Sequence, residues 1–225
     1  MQVLEAAPFS QNGSLQRPLS ALEAALLYAK EGWCVFPILG PEYTYLRKKG
    51  RIEKYPFFGT YQKATTNEKI IRRWFLKHPL ANVGIRTGQC SNLFVLDIDG
   101  PHGYICTPEP LMILPKTRCA LTGKGRHLFF RLPPGVIIHT SIALLDLQLD
   151  VFGEEEGFVT APPSRHNSGK LYTWQNFDVP VAMASVELCN FLATMPEIQI
   201  KVNYRRTVHL FVNTAIRHTL ALIGK

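Results

Sequence analysis

The chain has 225 residues, of which 46% are hydrophobic, and its formal net charge is +8 at pH 7. This length and apolar fraction indicate a folded globular protein and exclude general disorder. No run approaches the roughly 18 apolar residues of a membrane helix, and residues 1–15 lack the pattern of a secretory signal, so we expect a cytoplasmic protein with no membrane partner. The positive charge favours a polyanionic partner, because each neutralised phosphate releases a counterion.

The cysteines are odd in number, widely spaced and set mostly in apolar stretches. This pattern predicts buried reduced thiols rather than a disulfide framework. A zinc site built from His102, Cys106 and Cys119 is not favoured, because the sequence has no Cys-x-x-Cys pair and no clear fourth ligand. The five cysteines are Cys34, Cys90, Cys106, Cys119 and Cys189.

The first elements are a helix and a strand. Residues 1–18 are polar and aperiodic, which predicts a flexible N-terminal arm. Ser20 and Glu23 have the spacing of a capping box, and they begin a helix that ends at Gly32. The aromatic and branched residues at 33–38 then predict a buried strand whose proline suits a sheet edge.

The stretch from Gly40 to Tyr61 is basic and aromatic. Cations beside exposed rings suit single-stranded nucleic acid, whose phosphates and base faces they would meet. The alternative is a solvated loop whose rings pack on the domain. The cations of the stretch and its flank are Arg47, Lys48, Lys49, Arg51, Lys54 and Lys63.

A second capping box, Thr65 with Glu68, predicts a helix that continues through Lys77. A short strand at 82–86 and a Thr-Gly turn follow.

The most informative stretch is Val95–Gly100, an apolar run that ends in two carboxylates. Side chains alternate along a strand, so Asp97 and Asp99 lie on one face about 7 Å apart, while Leu96 and Ile98 face a core. Two carboxylates at this spacing can bind divalent cations, whereas the alternative is an ordinary strand end.

A glycine-rich hairpin follows, with strands at 118–121 and 127–132. Its turn, Thr122-Gly123-Lys124-Gly125, offers backbone N–H groups and a lysine for phosphates, with Arg126 and His127 at the mouth. A P-loop NTPase is excluded because a strand follows the turn and no Ser or Thr follows the lysine. A strand-start histidine can also be a packing or capping residue.

The remaining chain alternates in polarity over 144–152, which predicts one strand with Asp146, Gln148 and Asp150 on one face. Asp150 is the third candidate carboxylate and Asp146 a weaker one. Strands at 157–161 and 171–174 and helices at 186–193 and 206–223 complete an α+β fold with a mixed or antiparallel sheet. We expect a catalytic domain over 19–180 and a helical extension over 181–225.

Several motifs in this order resemble one family. They lie in Ala25–Trp33, Val35–Pro37, Lys54–Pro56, Lys63–Thr66, Arg73–Phe75, Asn82–Gly88, Val95–Gly100, Thr122–His127 and Ala161–Gly169. Together they resemble the bifunctional primase-polymerase (prim-pol) N-terminal domain of the archaeo-eukaryotic primase superfamily, over about residues 20–174.

The resemblance implies a catalytic core related to the RNA-recognition (RRM) fold beside a small N-terminal αβ unit. It also implies DNA replication chemistry: transfer of nucleotides from dNTPs or NTPs to a primer, or primer initiation on a single-stranded DNA template, with Mg²⁺ or Mn²⁺. Relatives often carry a helicase motor, and a helicase or helical priming domain is an expected partner.

Carried over by position, Asp97 and Asp99 match the first acidic motif, where some relatives have glutamate as the second carboxylate. Asp150 matches the third acidic motif and His127 the histidine motif, which makes the three carboxylates the expected metal ligands. The residues expected to line the nucleotide or template are Lys54, Arg126, Ser164 and His166, beside the turn residues Thr122, Gly123 and Lys124.

Two other functions remain open from the sequence. The sheet and the basic loop could bind single-stranded nucleic acid or a nucleotide without catalysis, or the carboxylates could serve a two-metal nuclease that uses water as the nucleophile.

Overall fold

The structure is a computed structural model, and it describes residues 18–46, 56–57, 59–100, 114–144, 149–154 and 157–194. Within these ranges the chain forms two β-sheets with few helices, which confirms the predicted α+β class. The proposed relationship to the RNA-recognition fold stays a prediction. None of the described helices is long and apolar enough to cross a membrane.

The N-terminal unit contains two helices and most of a small sheet. The capping box at Ser20 is confirmed, since its hydroxyl accepts a hydrogen bond from the Glu23 N–H at 3.2 Å. The small antiparallel sheet has the order β1-β2-β8, so Pro37 lies on an edge strand as predicted. The elements are α1 Ala21–Lys30, β1 Val35–Ile38, a 3₁₀ helix Pro41–Leu46, α2 Glu68–Lys77, β2 Asn82–Arg86 and β8 Phe158–Ala161.

The cap of α2 differs from the prediction. Asn67 caps this helix, and its side-chain oxygen accepts from the N–H groups of Lys69 and Ile70 at 3.0 and 3.3 Å. Thr65 forms a β-bridge with Val35, and its hydroxyl accepts from the Asn67 N–H. Thr65 is the wrong cap because this bridge keeps it outside the helix.

The large sheet has the order β6-β7-β3-β5-β4-β9, and β10 pairs with β5. All its pairings are antiparallel except β10 with β5. The predicted hairpin is confirmed as β4 and β5. The elements are β3 Leu93–Asp99, β4 Cys119–Leu121, β5 Gly125–Arg131, β6 Ser141–Leu144, β7 Leu149–Phe152, β9 Thr173–Trp174, β10 Ala182–Met183 and α3 Val186–Thr194.

The single strand predicted over 144–152 is wrong. The structure has β6 and β7 there, paired antiparallel with Leu144 opposite Leu149. In the sequence, polar and apolar residues alternate without interruption through 145–148. The alternation expected of one continuous strand therefore does not reveal that the chain reverses direction between β6 and β7. Residues 145–148, including Asp146, lie outside the described residues.

The two faces of the large sheet pack against different partners. Val95 and Phe129 belong to a core shared with α1, α2 and the small sheet. Leu96 and Ile98 belong to a second core that includes Leu188 of α3, so their predicted inward direction is confirmed. The core therefore continues past residue 180, and the division of the chain at this residue stays a prediction.

Cys34 and Cys90 form a disulfide, with their Cα atoms 6.2 Å apart. The prediction of reduced thiols is wrong for this pair, because the fold brings the start of β1 to the β2–β3 turn. The Cys34 N–H donates to the Ser91 hydroxyl at the same place. Cys119 and Cys189 are free and buried, and Cys106 lies outside the described residues.

Candidate active site

Three predicted site residues form one row across the centre of the large sheet. Asp97 of β3 lies opposite His127 of β5 and also opposite Asp150 of β7. Directly paired residues of antiparallel strands project from the same face, so we call Asp150, Asp97 and His127 the central row. Asp99 follows on this face and lies opposite Gly125.

The central row is at the edge of the core that joins the large sheet to the N-terminal unit. Val95 precedes Asp97 by two residues on the same face, and Phe129 follows His127 in the same way; both are in this core. Asp97 is 7% exposed and His127 is 1% exposed. Asp97 and His127 are therefore largely screened from bulk water, whereas Asp150 is partly exposed.

His127 contacts the central carboxylate. Its Nε2 is 3.3 Å from Oδ2 of Asp97, without the alignment of a full hydrogen bond. Its buried Nδ1 has no hydrogen-bond partner in the described part of the chain. The imidazole can therefore orient Asp97 through one nitrogen while the other is available to a further group.

Two further rings extend from the row. The Tyr172 ring lies 5.8 Å from the His127 ring, and the His166 ring lies 6.0 Å from the Tyr172 ring. Tyr172 is 3% exposed and had no predicted role. The feature of the sequence that could indicate a role for Tyr172 is its position three residues after the Ala161–Gly169 motif.

The hairpin turn differs from the expected phosphate cradle. The Thr122 hydroxyl accepts from the N–H groups of Lys124 and Gly125 at 3.2 and 2.9 Å, and the Thr122 N–H donates to the Gly125 carbonyl. These three donors are already bonded within the turn. The exposed Lys124 side chain is the cation that the turn presents, and its expected contact with phosphate stays a prediction.

Gly123 brings the hairpin turn to the Ala161–Gly169 loop. A Cβ at this position would overlap the His166 ring, so the close approach requires glycine. Nδ1 of His166 accepts from the Ser168 N–H at 3.1 Å, which places the proton of a neutral ring on Nε2. The structure therefore joins Gly123 and His166, two predicted site residues, in one contact.

Ser164 holds this loop to the small sheet. It is buried, and its hydroxyl accepts from the Val83 N–H at 2.9 Å. Next to it, the Asn82 side chain donates to the Arg165 carbonyl and accepts from the Arg165 N–H, both at 2.8 Å. These bonds fix the backbone that carries His166, and the expected nucleotide contact of Ser164 stays a prediction.

Arg126, a predicted site residue, is not brought to the row. Arg126 precedes His127 in β5, so alternation places it on the opposite sheet face. There it lies near Cys119, whose thiol pKa is raised by burial while the Arg126 charge opposes the shift. Lys54 lies outside the described residues.

The central row suits a divalent cation. Carboxylates directly opposite each other on paired strands repel, and a cation between them would relieve this repulsion. Carboxylate oxygens are the ligands that Mg²⁺ and Mn²⁺ prefer. Across the described ranges, no group of three or more His, Cys, Asp or Glu side chains could hold a metal ion by itself.

The family model described as "Bifunctional DNA primase/polymerase, N-terminal" matches residues 25–187, which is well over half of the chain. The matched range includes the whole central row, the hairpin turn and the Ala161–Gly169 loop. No curated protein matches the chain.

Proposed function

The chain belongs to the bifunctional DNA primase/polymerase N-terminal family, and from this membership we propose that it is a DNA primase-polymerase. It would add nucleotides from dNTPs or NTPs to a primer, or start primers, on single-stranded DNA. The observation that carries the proposal is the strand register that aligns Asp150, Asp97 and His127 inside the matched range.

Asp97 and Asp150 are the residues that would hold divalent cations, with Asp99 beside them on the same face. Mg²⁺ is commonly bound by one or two carboxylates together with substrate phosphates, so a complete protein cage is not required. The chemistry that two such ions supply is activation of the primer hydroxyl and neutralisation of the triphosphate.

The other residues would position these groups. His127 would orient Asp97 through the 3.3 Å contact, and its second nitrogen would face the incoming triphosphate. Lys124 would add a positive charge for the phosphates at the mouth of the hairpin. The low exposure of Asp97 and His127 strengthens these electrostatic contacts, because little water screens them.

The test is incubation of the protein with labelled nucleotides and Mn²⁺ or Mg²⁺ on primed and unprimed single-stranded DNA, with products sized on a gel. Asp97→Asn and Asp150→Asn keep the side-chain shape and remove the charge. We expect each to lower incorporation by about a hundredfold or more, since metal stabilisation of the transition state contributes several kcal/mol.

Asp178→Asn is the matched control, because Asp178 is an exposed carboxylate outside the row, and it should retain full incorporation. Circular dichroism and urea unfolding would show that each variant is folded. Strong extension by the folded Asp97→Asn protein would contradict the proposal. Shortening of the labelled DNA without nucleotides would indicate a nuclease, and salt-sensitive binding without either reaction would indicate a binding module.

A further inference from the structure

A groove lies on the N-terminal unit, on elements other than the strands of the central row. It has a volume of about 330 Å³, which is within the range of ligand sites. One side is formed by α2 and the residue after it, and the other by Pro37 of β1 together with Phe57 and Thr60. We call it the α2 groove, and its lining residues are Pro37, Phe57, Thr60, Arg73, Trp74, Lys77 and His78.

Rings form the floor of the α2 groove. The His78 ring stacks on the Phe57 ring at 4.3 Å with an interplanar angle of 26°, and Trp74 is partly exposed beside them. Burial and the neighbouring Lys77 lower the pKa of His78, so its ring is neutral at pH 7. Phe57 is 3% exposed and supports the His78 ring from below. The flat, uncharged surfaces on which a base can stack are therefore the partly exposed rings of His78 and Trp74.

Two cations stand at the rim. Arg73 and Lys77 are four residues apart on α2, so they share one side of the helix, and both are exposed. Neither forms an ion pair within the described part of the chain, whereas Arg72 contacts Glu68 at 3.8 Å. The rim thus has two positive charges that no acidic side chain of the described protein neutralises.

We propose that the α2 groove binds single-stranded DNA, with a base on the partly exposed Trp74 and His78 rings and the backbone phosphates on Arg73 and Lys77. The rings can stack on the bases of a nucleotide strand, and the cations can bind its phosphates. A duplex hides its base faces, so the groove favours a single strand. Residues outside the central row would therefore hold the template strand.

The test measures binding of a fluorescent oligothymidylate of about 12 nucleotides by anisotropy, without metal or triphosphates, so it is independent of catalysis. Binding is followed from roughly 50 to 200 mM salt. Arg73→Gln/Lys77→Gln is compared with Lys69→Gln/Arg72→Gln, which removes the same charge from exposed positions of α2 outside the groove.

We expect the Arg73→Gln/Lys77→Gln variant to lose roughly tenfold in affinity, because two exposed ion contacts are removed. The negative slope of log K plotted against log salt should decrease in magnitude by about 1.4, the value for two phosphates on a single strand. The control variant should stay within about twofold of the parent protein. Equal losses in both variants would reveal general charge attraction and overturn the proposal.

A second variant, Trp74→Leu, tests the stacking. We expect it to weaken binding of the oligothymidylate about tenfold or more and to change binding of an abasic strand much less. An equal effect on both strands would overturn base stacking in the groove. Displacement of the oligonucleotide by polyglutamate at the same charge concentration would assign the groove to an acidic protein partner instead.

Discussion

The central row and the α2 groove are built in different ways. The row combines residues 97, 127 and 150 through backbone pairing of three strands, so its geometry depends on the whole sheet. The groove takes most of its lining from residues 57–78, with Pro37 added from β1. Backbone changes near the row should therefore affect folding first, whereas changes in the groove should affect binding with small costs in stability.

The largest effect is expected for Gly125→Ala. A Cβ at Gly125 would overlap the carbonyl oxygen of Ile98 and displace β3 from β5 beside Asp99. We expect the free energy of unfolding in urea to fall by about 3 kcal/mol, the upper range for overpacking. Gly32→Ala is the control, since among the described residues no atom beyond its chain neighbours lies within 4 Å of its added Cβ, and the substitution is opposed by the positive φ of 87°.

Gly32→Ala should cost about 1 kcal/mol, the price of a left-handed backbone for alanine. If Gly125→Ala proves no more destabilising than this control, the row does not depend on close pairing of β3 and β5, and the comparison between the two regions fails.

A smaller effect is expected for Tyr28→Phe, which tests how the N-terminal unit supports the loop beside the central row. The buried Tyr28 hydroxyl donates to the Pro162 carbonyl at 2.6 Å and accepts from the Trp174 indole N–H at 2.9 Å. Burial raises the pKa of Tyr28 well above its usual value, so the hydroxyl stays protonated. Removing it leaves two buried partners unsatisfied, and we expect a loss of about 2 kcal/mol in urea unfolding.

The Tyr28 bonds tie α1 to the chain on both sides of His166 and Tyr172. Because of this, Tyr28→Phe should also lower nucleotide incorporation, which an ordinary core substitution elsewhere in the N-terminal unit would not do. A double-mutant cycle with Trp174→Phe should be non-additive, and additive losses would show that the two side chains act independently.

The smallest effect is expected for Asn67→Ala, at the cap of the helix that carries Arg73, Trp74 and Lys77. Loss of the cap should cost about 1 kcal/mol, measured by urea unfolding, and leave incorporation on a saturating primed template unchanged. Asn67→Ser retains a capping oxygen and should cost much less. A large loss of incorporation in Asn67→Ala would mean that the α2 region and the central row are coupled.

Strand alternation alone was sufficient to place Asp97 and Asp99 on one face, with Leu96 and Ile98 in a core. Alternation does not predict which strands are neighbours. The acidic motifs and the family resemblance indicate Asp150 as the third carboxylate, but the direct pairing of Asp97 with Asp150 is seen only in the strand register. The same limit explains the error at 144–152, where the chain reverses within a continuous alternating pattern. Local periodicity carries no information about a partner strand.

Long-range contacts account for the other differences. Cys34 and Cys90 have a sequence separation of 56, and nothing in their local context indicates that β1 and the β2–β3 turn meet. The Phe57 and His78 rings stack although they are 21 positions apart, so the basic and aromatic composition around Phe57 does not by itself predict the α2 groove. Thr65 has the residue type and spacing of a helix cap, and only its long-range bridge to Val35 excludes it.

The Cys34–Cys90 disulfide closes a covalent ring around the stretch that contains β1, α2 and the residues lining the α2 groove. A protease that cuts one peptide bond inside this ring leaves both pieces attached. Nicked protein would therefore migrate as one band without reductant and as two bands after reduction. The groove and the strands that carry the central row would remain on one molecule through such a cut.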